Sequence, residues 1–394
     1  MLSNYNLKKN FLACLKMPLF LDAQEKWDYF LENKIKNYEK LRNFDYGPTN
    51  ESSVSKLSPY ISHRVLLEYE LLKEVKKKYQ SQKINKFVEE IYWRIYWKGW
   101  MENRPKVWCN FISEKNYEYD FETYEKAING NSELDFLNSW VNELKTHNYL
   151  HNHTRMWFAS TWIFNLGLPW QLGASFFFEH LYDGDAASNL LSWRWVAGLQ
   201  TKGKQYLFSP ANLRKFSNNR FNVENIHNKQ IFLEETNQIA LDDEIYKSNM
   251  ELKSETLILF ENDLHVPTLK NILGNYKSVF IILLGNAQRK IKLSEAVLKF
   301  KQQMVFEFIN RFDNVTQLDA IKLQETLVDI NQLDMIYPGI GDNNDFINSF
   351  KKANNKVIFK LVRDQDLFAW KFAKKGFFKF KENIPKINQY VSQN

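Results

Sequence analysis

His151–Trp195 reads HNHTRMWFASTWIFNLGLPWQLGASFFFEHLYDGDAASNLLSWRW, and this stretch decides the fold. It holds five Trp and no Lys in a chain that carries 53 Lys and Arg in all, so it is not a solvated face. His151 to Asn165 is compatible with a helix. After Gly167, Pro169 can open a second helix, where its missing N–H costs nothing. Asp183-Gly184-Asp185 predicts a turn with a carboxylate on either side. Among so many Trp, Phe and Leu those carboxylates need partners if buried, and Arg155 and Arg194 are the cations nearby in sequence. A bound polar ligand would meet the same need.

The chain has 394 residues, of which 44% are hydrophobic, enough for two cores. Eleven of the 12 Trp precede Lys202, which divides it into unlike halves. The first half has long helix-period segments and few glycines, the mark of an all-α domain. Residues 222–254 are polar without a strong period and read as a linker, with room for short helices. From Thr256 onward the runs TLILF, SVFIILL and KVIFKLV alternate with helix-like segments, which predicts a parallel α/β sheet. The expected class is therefore multidomain, α then α/β: a helical domain over 1–221, a linker, and a smaller Rossmann-like domain over 255–394. Neither G-x-G-x-x-G nor G-K-[ST] occurs, so no nucleotide fingerprint marks the second half.

Two cysteines, Cys14 and Cys109, are too few for a disulfide framework or a four-cysteine metal site, which favours a reducing cytoplasm. No apolar run approaches a membrane span, and no signal peptide opens the chain. The net charge of +7 and pI near 9.0 are compatible with a polyanionic partner, although the lysines are spread along the whole chain. His151, His153 and His180 do not share one helix face and have no nearby Cys, so no metal site is expected.

The opening stretch resembles the flavin-binding domain of the DNA photolyase and cryptochrome family, whose core runs H-N-x-x-R-M, a later Trp, then D-G-D-x-x-x-N-x-x-x-W-x-W. His151-Asn152, Arg155-Met156, Trp170, Asp183-Gly184-Asp185, Asn189, Trp193 and Trp195 match it. Upstream, Val54-Ser55-Lys56-Leu57-Ser58 is similar to the family's T-S-x-L-S phosphate loop, with Val54 in place of the usual Thr. Glu90-Ile91-Tyr92-Trp93-Arg94 resembles its E-x-x-W-R helix, with Ile95 where an acidic residue is usual. Tyr38 stands where the family has a Tyr before the phosphate loop, and with Arg42 it shares a helix face.

The resemblance implies FAD held by Tyr38, the Val54–Ser58 loop, Arg94, Asn152, Arg155, Asp183, Asp185 and Asn189, with Arg155 paired to Asp183. It implies that Glu90, Trp93, Asn152, Met156 and Trp195 face a pyrimidine dimer in damaged DNA. The corresponding activity is light-driven electron donation from reduced FAD to a cyclobutane dimer, that of a deoxyribodipyrimidine photolyase. The alternative is a cryptochrome-like photoreceptor without repair. Asn189 stands where plant-type cryptochromes carry Asp, and Asn152 and Met156 stand where (6-4) photolyases carry His. Both favour dimer repair.

Trp193 and Trp170 match the inner and middle members of the family's electron-transfer chain, and Tyr149 is expected at the outer place. Thr256–Leu264 and, more weakly, Gly376–Phe380 resemble the opening and closing segments of the photolyase antenna domain, which normally precedes the flavin domain. Here it would follow, and a linker of about 30 residues reaching roughly 100 Å allows the usual docking. No antenna chromophore is assigned. The expectation is a monomer without a membrane anchor and without a signalling tail.

Overall fold

The computed structural model describes residues 18–80, 82–114, 116–201, 203–224, 226–233 and 239–393. Cys14 and parts of the expected linker lie outside these. The helical part runs through α1 (Leu19–Asn33), α2 (Tyr38–Leu41), α3 (Ser58–Ser62), α4 (Glu68–Lys78), α5 (Asn85–Glu102), α6 (Lys106–Ser113), α7 (Phe121–Asn129) and α8 (Asp135–His147). It continues through α9 (Asn152–Ser160), α10 (Trp170–His180), α11 (Ala186–Val196) and α12 (Pro210–Phe216). Asp120 and Asp185 cap the starts of α7 and α11 with their carboxylates, while Gly130 (φ 68°) and Asn148 (φ 52°) close α7 and α8 in the left-handed conformation.

The helix expected from His151 to Asn165 begins as α9 but passes into a π-helical turn over Thr161–Leu166. Gly167 (φ 76°) then ends it. Pro169 stands just before α10 as the sequence requires.

Beyond residue 255 the chain forms β1 (Thr256–Phe260), α13 (Val266–Leu273), β2 (Ser278–Leu283), α14 (Glu295–Ile309), β3 (Val315–Asp319) and α15 (Leu323–Thr326). Then follow β4 (Gln332–Ile336), α16 (Asp342–Ala353), β5 (Val357–Leu361), α17 (Asp364–Trp370), α18 (Phe377–Lys381) and α19 (Ile384–Gln393). All pairings are parallel, in the order β3-β2-β1-β4-β5. Three of the five strands coincide with the apolar runs TLILF, SVFIILL and KVIFKLV. The other two, VTQLD and QLDMI, carry polar side chains that obscured them. Asp334 lies wholly buried in β4, where it accepts from Lys253 N (2.9 Å), Ser254 N (3.2 Å) and the Tyr276 hydroxyl (2.8 Å).

The sheet docks on the helices through a shared hydrophobic core. α14 packs on α1 and α10, and α17 and α18 pack on α5. Glu307 of α14 caps the start of α1 by accepting from Leu19 N (2.8 Å) and Phe20 N (3.1 Å). Gly99 lets α17 approach α5, since a Cβ there would lie 2.6 Å from Trp370 Cδ1 and 2.9 Å from Ala373 Cβ.

Candidate functional site

α5, α9, α11 and the loop before α3 bring the sequence-predicted residues together. Arg155 Nη2 lies 3.0 Å from Asp183 Oδ2, and its Nε donates to Leu150 O at 2.9 Å. Burial raises the Asp183 carboxyl, but the Arg155 guanidinium and the Ser58 hydroxyl outweigh it and hold the group below its usual range. Ser58 thus ties the loop to the carboxylate. Asp185 accepts from Ser188 N (2.7 Å) with one oxygen, while its other lies 3.6 Å from Arg94 Nη2.

Several buried polar atoms here have no hydrogen-bond partner: Asp183 Oδ1, Asp185 Oδ2, Arg94 Nε and Nη2, and Trp193 Nε1. Unmade bonds at buried charged groups cost about 1–3 kcal/mol or more each. A group presenting both donors and acceptors would satisfy them, and an isoalloxazine edge, with its ring N–H and carbonyl oxygens, is such a group. Asn189 is buried on α11 one turn before Trp193, and its Nδ2 donates to Ala174 O at 2.9 Å.

Lys56 and Tyr149 line a cavity of about 640 Å³ that also meets Asp45, Glu143, His151, Tyr182 and, from α14, Phe300. This volume is within the roughly 300–1,000 Å³ of small-molecule sites. The Lys56 ammonium lies 5.7 Å from the Tyr149 ring centroid and the Arg155 guanidinium 5.5 Å from it, so the cavity adjoins the Arg155–Asp183 pair. Glu143 is pushed up to about 7 by burial and by Asp45, and burial lowers His151 to about 4. Glu143 Oε2 and His151 Nε2 are also without hydrogen-bond partners. Lys56 adopts φ 54°, which fits a loop built around a ligand better than a simple helix cap.

Tyr38 is half-buried, edge-on to Phe30 (5.8 Å) and Phe87 (5.4 Å). Glu90 is paired with Arg42 (3.0 Å) and Lys86 (3.2 Å). Asn152 is exposed, whereas Met156 and Trp195 are half-buried, with Trp195 stacked on Tyr206 at 5.6 Å. Trp93 does not stand alone: Phe377 of α18 stacks on it at 3.6 Å and 10°, and Trp97 lies 5.1 Å away. One face of Trp93 is therefore taken by the second half of the chain. Nothing in the sequence between them signals that contact.

Trp170 stacks on Phe111 (5.8 Å, 21°), and Tyr149 sits against Lys56 and Arg155. The tryptophan whose ring meets Trp193 is Trp162 (6.4 Å, 85°). The histidines have structural partners. His151 Nδ1 caps α9 by accepting from His153 N, His153 Nδ1 meets Asn43 O at 2.9 Å, and His180 lies edge-on to Phe176. Among the described residues no group of three or more metal-ligating side chains gathers, and no helix is long and apolar enough to cross a membrane.

Residues 87–231 match the family described as the FAD binding domain of DNA photolyase. The chain is 27% identical over 183 residues to the deoxyribodipyrimidine photo-lyase of Agrobacterium fabrum, covering 45% of this chain and 37% of that protein. It is 27% identical over 233 residues to the deoxyribodipyrimidine photo-lyase of Buchnera aphidicola, covering 52% and 48%. It is 25% identical over 179 residues to a cryptochrome DASH of Idiomarina loihiensis, covering 43% and 39%. Among solved structures, the class III photolyase from Agrobacterium tumefaciens aligns with a TM-score of 0.45 and 26% identity, over 55% of this chain and 48% of that one. The matches span less than half the length of these curated relatives. Over residues 87–231 the chain is thus similar to the FAD-binding domain of the photolyase/cryptochrome family.

Proposed function

We propose that this protein repairs cyclobutane pyrimidine dimers in DNA under blue light. The carrying observation is the set of buried, unpartnered polar atoms at Arg94, Asp183 and Asp185, with Arg155 paired to Asp183, the exposed Asn152 and the half-buried Met156 and Trp195. Arg155, Asp183, Asp185, Arg94, Asn189 and Ser58 hold FAD, and Tyr38, Val54, Ser55, Lys56 and Leu57 border its diphosphate. When bound, the cofactor supplies one-electron donation on illumination.

Trp93 and Trp195 form apolar walls for a dimer flipped out of the duplex, Met156 adds a third, and Asn152 and Glu90 offer hydrogen bonds to its base edges. Phe377 holds the Trp93 ring in place from behind. The net charge of +7 favours the DNA phosphates. The helical domain spans 1–221 and is followed, after a linker over 222–254, by an antenna-like domain over 255–394. This order is the reverse of the family's usual one.

Incubating the purified protein with a dimer-containing oligonucleotide in blue light and in the dark tests the proposal. Light-dependent restoration of the intact pyrimidines is expected. FAD binding without restoration would favour the photoreceptor reading, to which the cryptochrome relatives also point.

A further inference from the structure

We propose that the segment Lys371–Lys381, in the second half of the chain, is a DNA-binding flank: its lysines grip phosphates beside the lesion mouth, and Phe378 stacks on a base exposed where the duplex opens. The proposal rests on the reading that Trp93 and Trp195 wall that mouth. The segment reads KFAKKGFFKFK, with five Lys, four Phe and no acidic residue. Lys371, Lys375, Lys379 and Lys381 are exposed, and Phe378 is 77% exposed.

The local fold separates two kinds of phenylalanine. Phe377 and Phe380 stand three apart on α18 and are buried against Trp93, Tyr92 and Tyr96 of α5. Phe378, one residue on from Phe377, is turned outward. The backbone beneath the lysines is pinned, since Arg104 Nη2 donates to Lys374 O (2.8 Å) and the Tyr96 hydroxyl to Lys375 O (2.9 Å). Side chains carried on a fixed backbone lose less freedom on binding. The placement is next to both proposed walls. Trp93 packs directly under α18, and Gln200, five residues after Trp195, hydrogen-bonds the same Tyr96 hydroxyl.

The chemistry fits a polyanion. Lys379 and Lys381 pair at the surface with Glu382 (2.9 Å) and Glu89 (2.7 Å). Exposed pairs of this kind contribute little to stability, so a phosphate displaces the carboxylate at small cost. Phosphate contacts hold a duplex in register without reading its sequence, whereas an aromatic ring stacks on any base that has lost its neighbour.

The test is binding of the full FAD-loaded chain to intact and dimer-containing duplexes over a series of salt concentrations. Lys371→Ala combined with Lys375→Ala should lower the slope of log affinity against log salt by about 2 for both duplexes, roughly one per lost phosphate contact. Lys270→Ala combined with Lys322→Ala, two exposed lysines on the β1–β3 side of the sheet, should leave the slope unchanged. Phe378→Ala should weaken binding of the dimer-containing duplex roughly tenfold and spare the intact one. Its melting temperature should match the parent's, because the ring is exposed. An unchanged slope in the Lys371 and Lys375 variant, or an equal fall in the control pair, would overturn the flank, and undiminished affinity for the dimer in Phe378→Ala would overturn the stacking. A parent that binds both duplexes equally, while the slope still falls, would instead reject the lesion mouth and leave the phosphate contacts standing.

Discussion

Two crevices among the described residues are built from the same materials and finished differently. In the helical domain, Glu143 and His151 keep buried atoms unpartnered in a cavity of about 640 Å³ that adjoins the Arg155–Asp183 pair. At the carboxyl ends of β1 and β4, where a sheet of this order ordinarily takes a ligand, the charges interlock. Asp263 is held by Arg64 and Arg363, and Glu261 by Arg289 (3.1 Å) and Lys301 (3.2 Å). The helical domain also inserts Glu102, which accepts from the Tyr337 hydroxyl (2.8 Å) and Ile340 N (3.0 Å), and only about 110 Å³ remains open. There the buried charges pair across the two halves of the chain and work as a joint, with Asn343 Oδ1 and Arg363 Nε left without partners.

If the second crevice is a joint, cutting it should cost stability before anything else. Arg64→Met leaves Asp366 without the guanidinium that lies 2.6 Å from it, and loss of a buried ion partner typically costs about 3–5 kcal/mol. Chemical denaturation should show that loss, and an unchanged midpoint would break the contrast.

Glu102 sharpens it through pH. Burial pushes this carboxyl from 4.5 up to about 7, so between those values the folded protein holds a proton that the unfolded chain has released. Stability should fall as pH rises from 4.5 to 7, by up to about 3 kcal/mol, and be flat below that window. Glu102→Gln should remove its share of the slope and leave that of Glu143, which burial also raises to about 7, and an unchanged slope would show that Glu102 does not contribute.

The first crevice should respond in its ligand. Asp183→Ala leaves Arg155 unpaired and should release FAD, read from the flavin absorbance of purified protein, with a smaller effect on melting because Arg155 is partly exposed. Full flavin occupancy would remove the distinction between the two crevices.

The smallest expected effect is at the rim. Trp93→Ala should weaken preference for dimer-containing over intact DNA by about 1–3 kcal/mol, the usual worth of stacking one base on an aromatic ring, with FAD retained. Phe377→Ala should do the same more weakly, because it only backs Trp93. Equal binding of both DNAs by the parent would reject the assigned wall.

The proposed flavin site could be assembled from sequence because most of its residues fall within one continuous stretch, and turn chemistry and helix spacing fix their relation to one another. Arg155 and Asp183 meet as their types and burial demanded. β3 and β4 were not legible because a strand is read from alternation or continuous apolarity, and β3 offers an edge with exposed Thr316 and Gln317 while β4 buries an aspartate. The Phe377–Trp93 stack and the Trp162–Trp193 contact join rings whose packing depends on how whole elements cross. Spacing along one helix carries no information about that.

The same stack has a consequence for synthesis. Helix α5 is made early, yet Trp93, Tyr92 and Tyr96 gain their cover from Phe377 and Phe380, nearly three hundred positions later. At about 5–20 residues per second, a ribosome takes on the order of tens of seconds to cross that interval. Throughout it the nascent helical domain displays an uncovered aromatic strip, a natural target for a holdase chaperone. Placing the α/β part after the helical part thus lengthens the vulnerable period of the very helix that carries the proposed lesion wall.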